Sequence, residues 1–239
     1  MKEMSRTVNT SLRQQSSLPL LAPNSTLDSN PNTFIILMAD VIGSSKMVRA
    51  ELEIFFDVVE EVNSRHEKEL VSLLTVTLGD EFQAVVKDIN SLIAIIIDLE
   101  ESLLRRNSSI LLRYVAHRGA IDSTIHHQRA HAMVGSGLTK ARKRLELLKK
   151  SEFRFDIDLG DPLFDMRLQK TLVVWGSFLE HWKEKEKHMQ FAPLFLENGD
   201  YKAVAQSIHA DRGNVWRMEK SLRFKEYLAQ RDLLQMITT

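Results

Sequence analysis

From Thr33 to Ala39 the chain reads Thr-Phe-Ile-Ile-Leu-Met-Ala, apolar after its first residue, and it then stops on Asp40. A strand with one wet face alternates polar and apolar residues; an unbroken, partly β-branched run of this kind fits a strand covered on both faces, as central and parallel strands are. Such a strand needs neighbours in a sheet and helical cover, which points to an α/β layered fold. It also delivers Asp40, the first charge after the run, to one edge of that sheet.

The rest of the chain supplies the other elements. From about Lys46 to Glu69 the apolar residues Leu52, Phe55, Phe56, Val59 and Val62 recur at three- and four-residue spacing among charged ones, which predicts an amphipathic helix. Leu73 to Leu78 alternates Thr with aliphatics, Gly79-Asp80 signals a tight turn, and Glu81 to Lys87 resumes as a strand, so a β-hairpin is expected with Asp80 at its tip. Asp88 is placed to cap a helix that carries Ile89, Leu92, Ile93, Ile96, Leu99 and Leu103 on one face and ends near Asn107. Ile110 to Ile121 predicts a further strand, Leu138 to Lys150 a short basic helix, and Phe153 to Leu159 a half-exposed edge strand broken by Gly160-Asp161-Pro162. A helical pattern then runs from Leu163 to Lys187. This order predicts an α+β sandwich with helices largely on one face. The expected division is an α/β domain over 33–160, a connecting helix over 161–189 and a helical domain over 190–239.

Composition excludes several functions. Lys plus Arg equals Asp plus Glu, 32 of each, so no global field draws the chain to a polyanion, and any nucleic-acid contact must be local. Cysteine is absent, which removes disulfides, thiolate zinc sites and Cys nucleophiles, and makes cytoplasm the default location. The longest apolar stretches, near 34–39 and 92–99, fall well short of the roughly 18 residues that a membrane helix needs. Residues 1–32, rich in Ser, Asn, Thr and Gln with Pro19, Pro23 and Pro31, lack a periodic apolar face, and a disordered extension is expected there. Neither glycine-based phosphate loop, G-x-G-x-x-G or G-x-x-x-x-G-K-[ST], is present.

If the 33–39 strand and the hairpin pair as neighbours, Asp40 and Asp80 emerge together and can share a divalent cation. Mg²⁺ is a hard ion commonly held by one or two carboxylates plus substrate phosphates. Gly43 would let a triphosphate approach the backbone, and Ser44 and Ser45 could donate to its oxygens. Lys140, Arg142, Lys143 and Arg144 give the 138–150 helix a basic face suited to phosphate. His126, His127 and His131, near Arg129, lack a carboxylate at ligand spacing and are expected in a surface loop.

Ala39-Asp40-Val41-Ile42-Gly43-Ser44, followed by Thr77-Leu78-Gly79-Asp80-Glu81-Phe82-Gln83-Ala84, resembles the SatD family. The layout is more distantly similar to class III nucleotidyl cyclases and diguanylate cyclases. That likeness implies a ferredoxin-type sheet in which Asp40 and Asp80 hold Mg²⁺ over a nucleoside triphosphate. Those cyclases carry an Asn and an Arg one helical turn apart where this chain has Thr139 and Lys143, a departure from the catalytic pattern. A Thr cannot supply an amide's donor and acceptor together, and a Lys lacks the planar fork of Arg.

Asp200 to Leu222 matches the spacing of a helix-turn-helix. Val204, Ala205 and Ile208 would line the first helix, Ala210 the turn, and Val215, Met218 and Leu222 the second helix, which Asp211 caps. Arg212, Asn214, Arg217 and Lys220 then face outward, the residue types that read a major groove and its phosphates. His209 stands where such turns usually have Gly. The expected function is a nucleotide-responsive, DNA-binding regulator, acting as a homodimer. The alternative is an active nucleotidyl cyclase or transferase using Asp40 and Asp80.

Overall fold

The computed structural model describes residues 32–77, 79–130 and 133–237. The extension assigned to 1–32 lies outside these residues except for Asn32, as do Leu78 and His131.

Five strands form one sheet: β1 (Thr33–Val41), β2 (Leu70–Val76), β3 (Glu81–Val86), β4 (Leu112–Ala120) and β5 (Phe155–Asp158), in the order β2-β3-β1-β4-β5. The apolar run is the central strand. Ile35 to Val41 are all buried, with β3 and β4 antiparallel on its two sides. Helices α1 (Arg49–Arg65) and α2 (Ile89–Arg105) connect β1 to β2 and β3 to β4. This is the split β-α-β of ferredoxin-type sheets, extended at one edge by β5, which runs parallel to β4.

Strand periodicity sorts β1 between two cores. Ile35, Leu37, Ala39 and Val41 join α1 and α2 in the larger one, whereas Ile36 and Met38 pack with Val85, Val115 and the face of α3 (Ser136–Leu148) made by Leu138, Ala141, Leu145 and Leu148. The helices therefore lie mostly on one face, and α3 covers the other. Its first turn sits directly on β4. A Cβ added to Gly119 would lie 2.5 Å from the Gly137 Cα, so both positions require glycine for close backbone approach.

Downstream, Asp161 caps α4 (Pro162–Lys183) by accepting from the N–H groups of Leu163 and Phe164. The helical pattern expected to reach Lys187 instead breaks at Lys185, whose backbone is extended, and restarts as α5 (Glu186–Asn198). Then follow α6 (Tyr201–Ser207), α7 (Arg212–Leu222) and α8 (Phe224–Met236). Trp175, Trp182, Phe195, Val204, Val215, Phe224 and Tyr227 belong to the same apolar cluster as α2 and the sheet, so one core runs through positions 160 and 190. Two neighbouring glutamates of α2 reinforce it. Glu100 accepts from Arg154, Lys183 and Tyr114, and Glu101 accepts from Tyr227 and Arg231 on α8. No helix among the described residues is long and apolar enough to cross a membrane.

Candidate functional site

At the polar end of the α3-side face, Asp40 sits in register between Glu81 of β3 and Arg113 of β4. Its Oδ2 accepts from Arg113 Nη1 at 3.2 Å, while its Oδ1 is buried without a partner. Burial raises the Asp40 pKa, and the Arg113 charge opposes that rise. Glu81 accepts from both Arg142 and Lys149. Burial alone would raise its pKa too, but these two cations outweigh it and lower the value. Asp80, in the turn, accepts from the Ser44 hydroxyl, and its carbonyl accepts from Val41 N–H at 2.9 Å.

Several sequence expectations meet this geometry differently. Both aspartates do come to the same end of the sheet, but Asp40 is paired with an internal arginine and its cross-strand neighbour is Glu81. Gly43 adopts a left-handed φ of 74° and turns the chain into the short 3-10 turn Ser44–Lys46. Ser44 is engaged by Asp80, and Ser45 is exposed. Lys140 and Lys143 lie on the outer side of α3. Ala141, Leu145 and Leu148 hold α3 against the sheet, so these two lysines turn to solvent, and Arg142 and Lys149 reach the acids instead. Thr139 donates its hydroxyl to the Gly135 carbonyl within its own helix. Glu81, Arg113 and Lys149 were missed by sequence reasoning. The available signal was parity: Glu81, Gln83 and Val85 alternate with the apolar residues of β3, on the same face as Asp40.

Asp40, Asp80 and Glu81 are thus accompanied by Arg113, Arg142 and Lys149, a cluster neutralised by the chain's own cations. Among the described residues no three His, Asp or Glu side chains gather as a metal cage. A Mg²⁺ ion at Asp40 would have to share this carboxylate with Arg113, which already holds Oδ2, or displace it. A similar balance holds further along α3, where Arg144 bridges Asp156 at 2.6 Å and Asp158 at 2.9 Å, and His117 Nδ1 lies 2.9 Å from Asp158. His126 and His127 lie in a loop whose carbonyls accept from Ser72 and Leu73, covering the free edge of β2.

The α6–α7 pair is the second candidate. Asp200 caps α6 and Asp211 caps α7, the latter accepting from Asn214 N–H at 2.8 Å. Between the helices His209 takes a left-handed φ of 52°, the conformation usually given to Gly in such turns, and Ala210 N–H donates to the Ala205 carbonyl at 3.0 Å. Val204, Ala205, Val215 and Leu222 are buried; Ile208 and Met218 pack against them. Arg212, Asn214, Arg217 and Lys220 are all exposed, and Arg217 donates to the Asn214 side chain. Trp216 stands among them, 46% exposed, with Lys220 Nζ 5.9 Å from its ring centroid.

The sequence matches the SatD family over residues 34–235, which takes in the sheet and the C-terminal helices together. The chain belongs to the SatD family. Among solved structures, this SatD-family chain is similar to a bacterial light-regulated adenylyl cyclase, at 16% identity and a TM-score of 0.38 over 52% of this chain and 74% of that one. It is also similar to the guanylyl cyclase Cya2, at 13% identity and a TM-score of 0.36 over 48% and 70% of the two chains. No curated protein matches it.

Proposed function

We propose that this SatD-family protein is a DNA-binding regulator that places α7 in the major groove of duplex DNA. The observation that carries this reading is the division of α7 into two faces. Val215 and Leu222 bury one, and the other leaves Arg212, Asn214, Arg217 and Lys220 in solvent, where the chain does not cover them. Arg and Asn make two-point contacts to guanine and adenine edges, and Lys neutralises phosphate. The two aspartates nearby are engaged as helix caps, which reduces their repulsion of phosphate. A second copy of the chain would present a second α7 to a half-site about 34 Å away, the repeat of one turn of DNA.

Fluorescence anisotropy with a labelled duplex of mixed sequence tests the reading. Binding is expected at 50 mM salt and is expected to weaken steeply by 200 mM, with Lys220→Ala reducing the log-log salt slope by about 1. Arg217→Ala is expected to weaken a preferred sequence by about ten-fold and to relax its selection at one base. Duplex affinity that is absent at low salt, or indifferent to both substitutions, would sink the reading.

A second reading keeps a magnesium–nucleotide complex at Asp40, favoured by one observation: its Oδ1 is buried and unpartnered. It requires Arg113 to yield its place. Calorimetric titration with Mg²⁺ and ATP or GTP should then show affinity that increases in Arg113→Ala and disappears in Asp40→Asn. Equal heats from all three proteins would exclude it.

A further inference from the structure

Beside the groove-facing side chains, the first turns of α6 and α7 enclose an open cleft of about 380 Å³ lined by Tyr201, Lys202, Arg212, Gly213 and Trp216. Its walls combine two aromatic rings with two cations. Lys202 Nζ stands 6.0 Å from the Tyr201 ring centroid, and Arg212 has no salt-bridge or hydrogen-bond partner among the described residues. The two carboxylates at its margin, Asp200 and Asp211, accept from backbone N–H groups as caps. Gly213 adds no side chain to the lining, and a Cβ there would come within 3.1 Å of Asp211 Oδ2. Large indoles are usually interior residues, and Trp175 and Trp182 of this chain are fully buried; Trp216 is held out at the rim.

We infer that this cleft binds a single nucleotide unit whose base is out of the double-helical stack, with the base on Trp216 and Tyr201 and its phosphate on Lys202 and Arg212. The inference deepens the DNA-binding reading and rests on it. A base inside a duplex offers only its edges, because its faces are covered by neighbouring pairs; an aromatic wall can use a base only when that face is free. Cations beside aromatic rings are the pairing by which proteins hold single strands, and the cleft has the scale of one nucleotide, at the lower end of small-ligand sites. The nucleotide can come from a free mononucleotide or from an unpaired position in a strand.

Trp216 provides its own reporter. With the other two tryptophans fully buried, iodide-quenchable emission belongs to Trp216, and Trp216→Phe should abolish it. Full-length protein would be titrated with dTMP, with a twelve-residue thymidine strand, and with the duplex of that strand. Protection of Trp216 from iodide is expected with the single strand and stronger than with the duplex; protection by dTMP as well would identify a free nucleotide as a sufficient ligand. The double variant Lys202→Ala/Arg212→Ala and the single variant Trp216→Ala are each expected to weaken single-strand binding about ten-fold, given the usual worth of one base–aromatic stack. Protection by the duplex alone would overturn the inference, since Trp216 would then merely lie beneath bound DNA. Duplex binding that depends on Arg217, with no probe altering the quenching, would overturn it while leaving the DNA-binding reading intact. Absence of binding by all three probes would overturn both.

Discussion

Replacing Glu100 with alanine is expected to cost about 3–5 kcal/mol of folding stability, because it would leave Lys183 buried without its ion-pair partner and Arg154 with only the more exposed Glu180. Glu100 is 0% exposed on α2. It receives hydrogen bonds from Arg154, just before β5, from Lys183 at the end of α4 at 3.1 Å, and from the Tyr114 hydroxyl on β4 at 3.2 Å. Burial by itself would raise its pKa, but the charges of Arg154 and Lys183 prevail and lower it, so the carboxylate is ionised in the fold. Burial lowers the pKa of Lys183, and the Glu100 carboxylate opposes that fall. Urea denaturation followed by circular dichroism measures the loss. Glu100→Gln keeps the shape while removing the charge, and Lys183→Met in that background removes one of the stranded cations and should recover part of the stability. A Glu100→Ala midpoint unchanged from the parent protein would contradict the buried triad.

Trp182→Ala is expected to be similarly damaging, at about 3–5 kcal/mol, through the cavity left at a fully buried indole. The Trp182 ring lies 4.6 Å from that of Tyr227 and 6.2 Å from that of Phe224, centroid to centroid, and its Nε1–H donates to the Leu222 carbonyl at 2.8 Å. It therefore ties α4 to the end of α7 and the start of α8. Tyr227 in turn donates to Glu101 on α2 at 2.7 Å, which brings the same network back to the sheet. If the continuous apolar cluster behaves as one cooperative unit, near- and far-ultraviolet signals should move together to a lower midpoint in one transition. Two separated transitions, only one of them sensitive to Trp182→Ala, would show instead that the helices after residue 190 unfold as a separate domain.

The same network also holds α7 in place. The face of α7 that carries Arg212, Asn214 and Arg217 is held by Val215 and Leu222 against helices that are themselves held by α2. Glu101, Tyr227 and Trp182 join α2 to α4, α7 and α8 through buried contacts.

Much of this architecture was legible because it depends on neighbours in sequence. The unbroken apolar run gave β1 its central place. Asp88 and Asp211 are caps in the structure because a short acceptor just before an amphipathic pattern reaches free backbone N–H groups whatever the rest of the chain does. The outward set of Arg212, Asn214, Arg217 and Lys220 follows likewise from the 3.6-residue period of α7, whereas the left-handed φ of His209, at a position usually given to Gly, does not. The helix break at Lys185 was not legible, because the mixed charges of 183–187 suit either a continuing helix or a turn.

The acidic cluster marks the boundary between the two kinds of information. Sequence by itself determined that Asp40 lies near the end of a buried strand and that Asp80 sits in a hairpin turn. Only the tertiary structure decided that Asp40 would face Glu81 and Arg113, that Arg142 and Lys149 would arrive from above, and that Lys140 and Lys143 would face away. The physical reason is register: strands far apart in the chain pair with a two-residue repeat, so a slip of one position would exchange every partner on that face, and the pairing is fixed by the fit of both cores together and not by any local pattern.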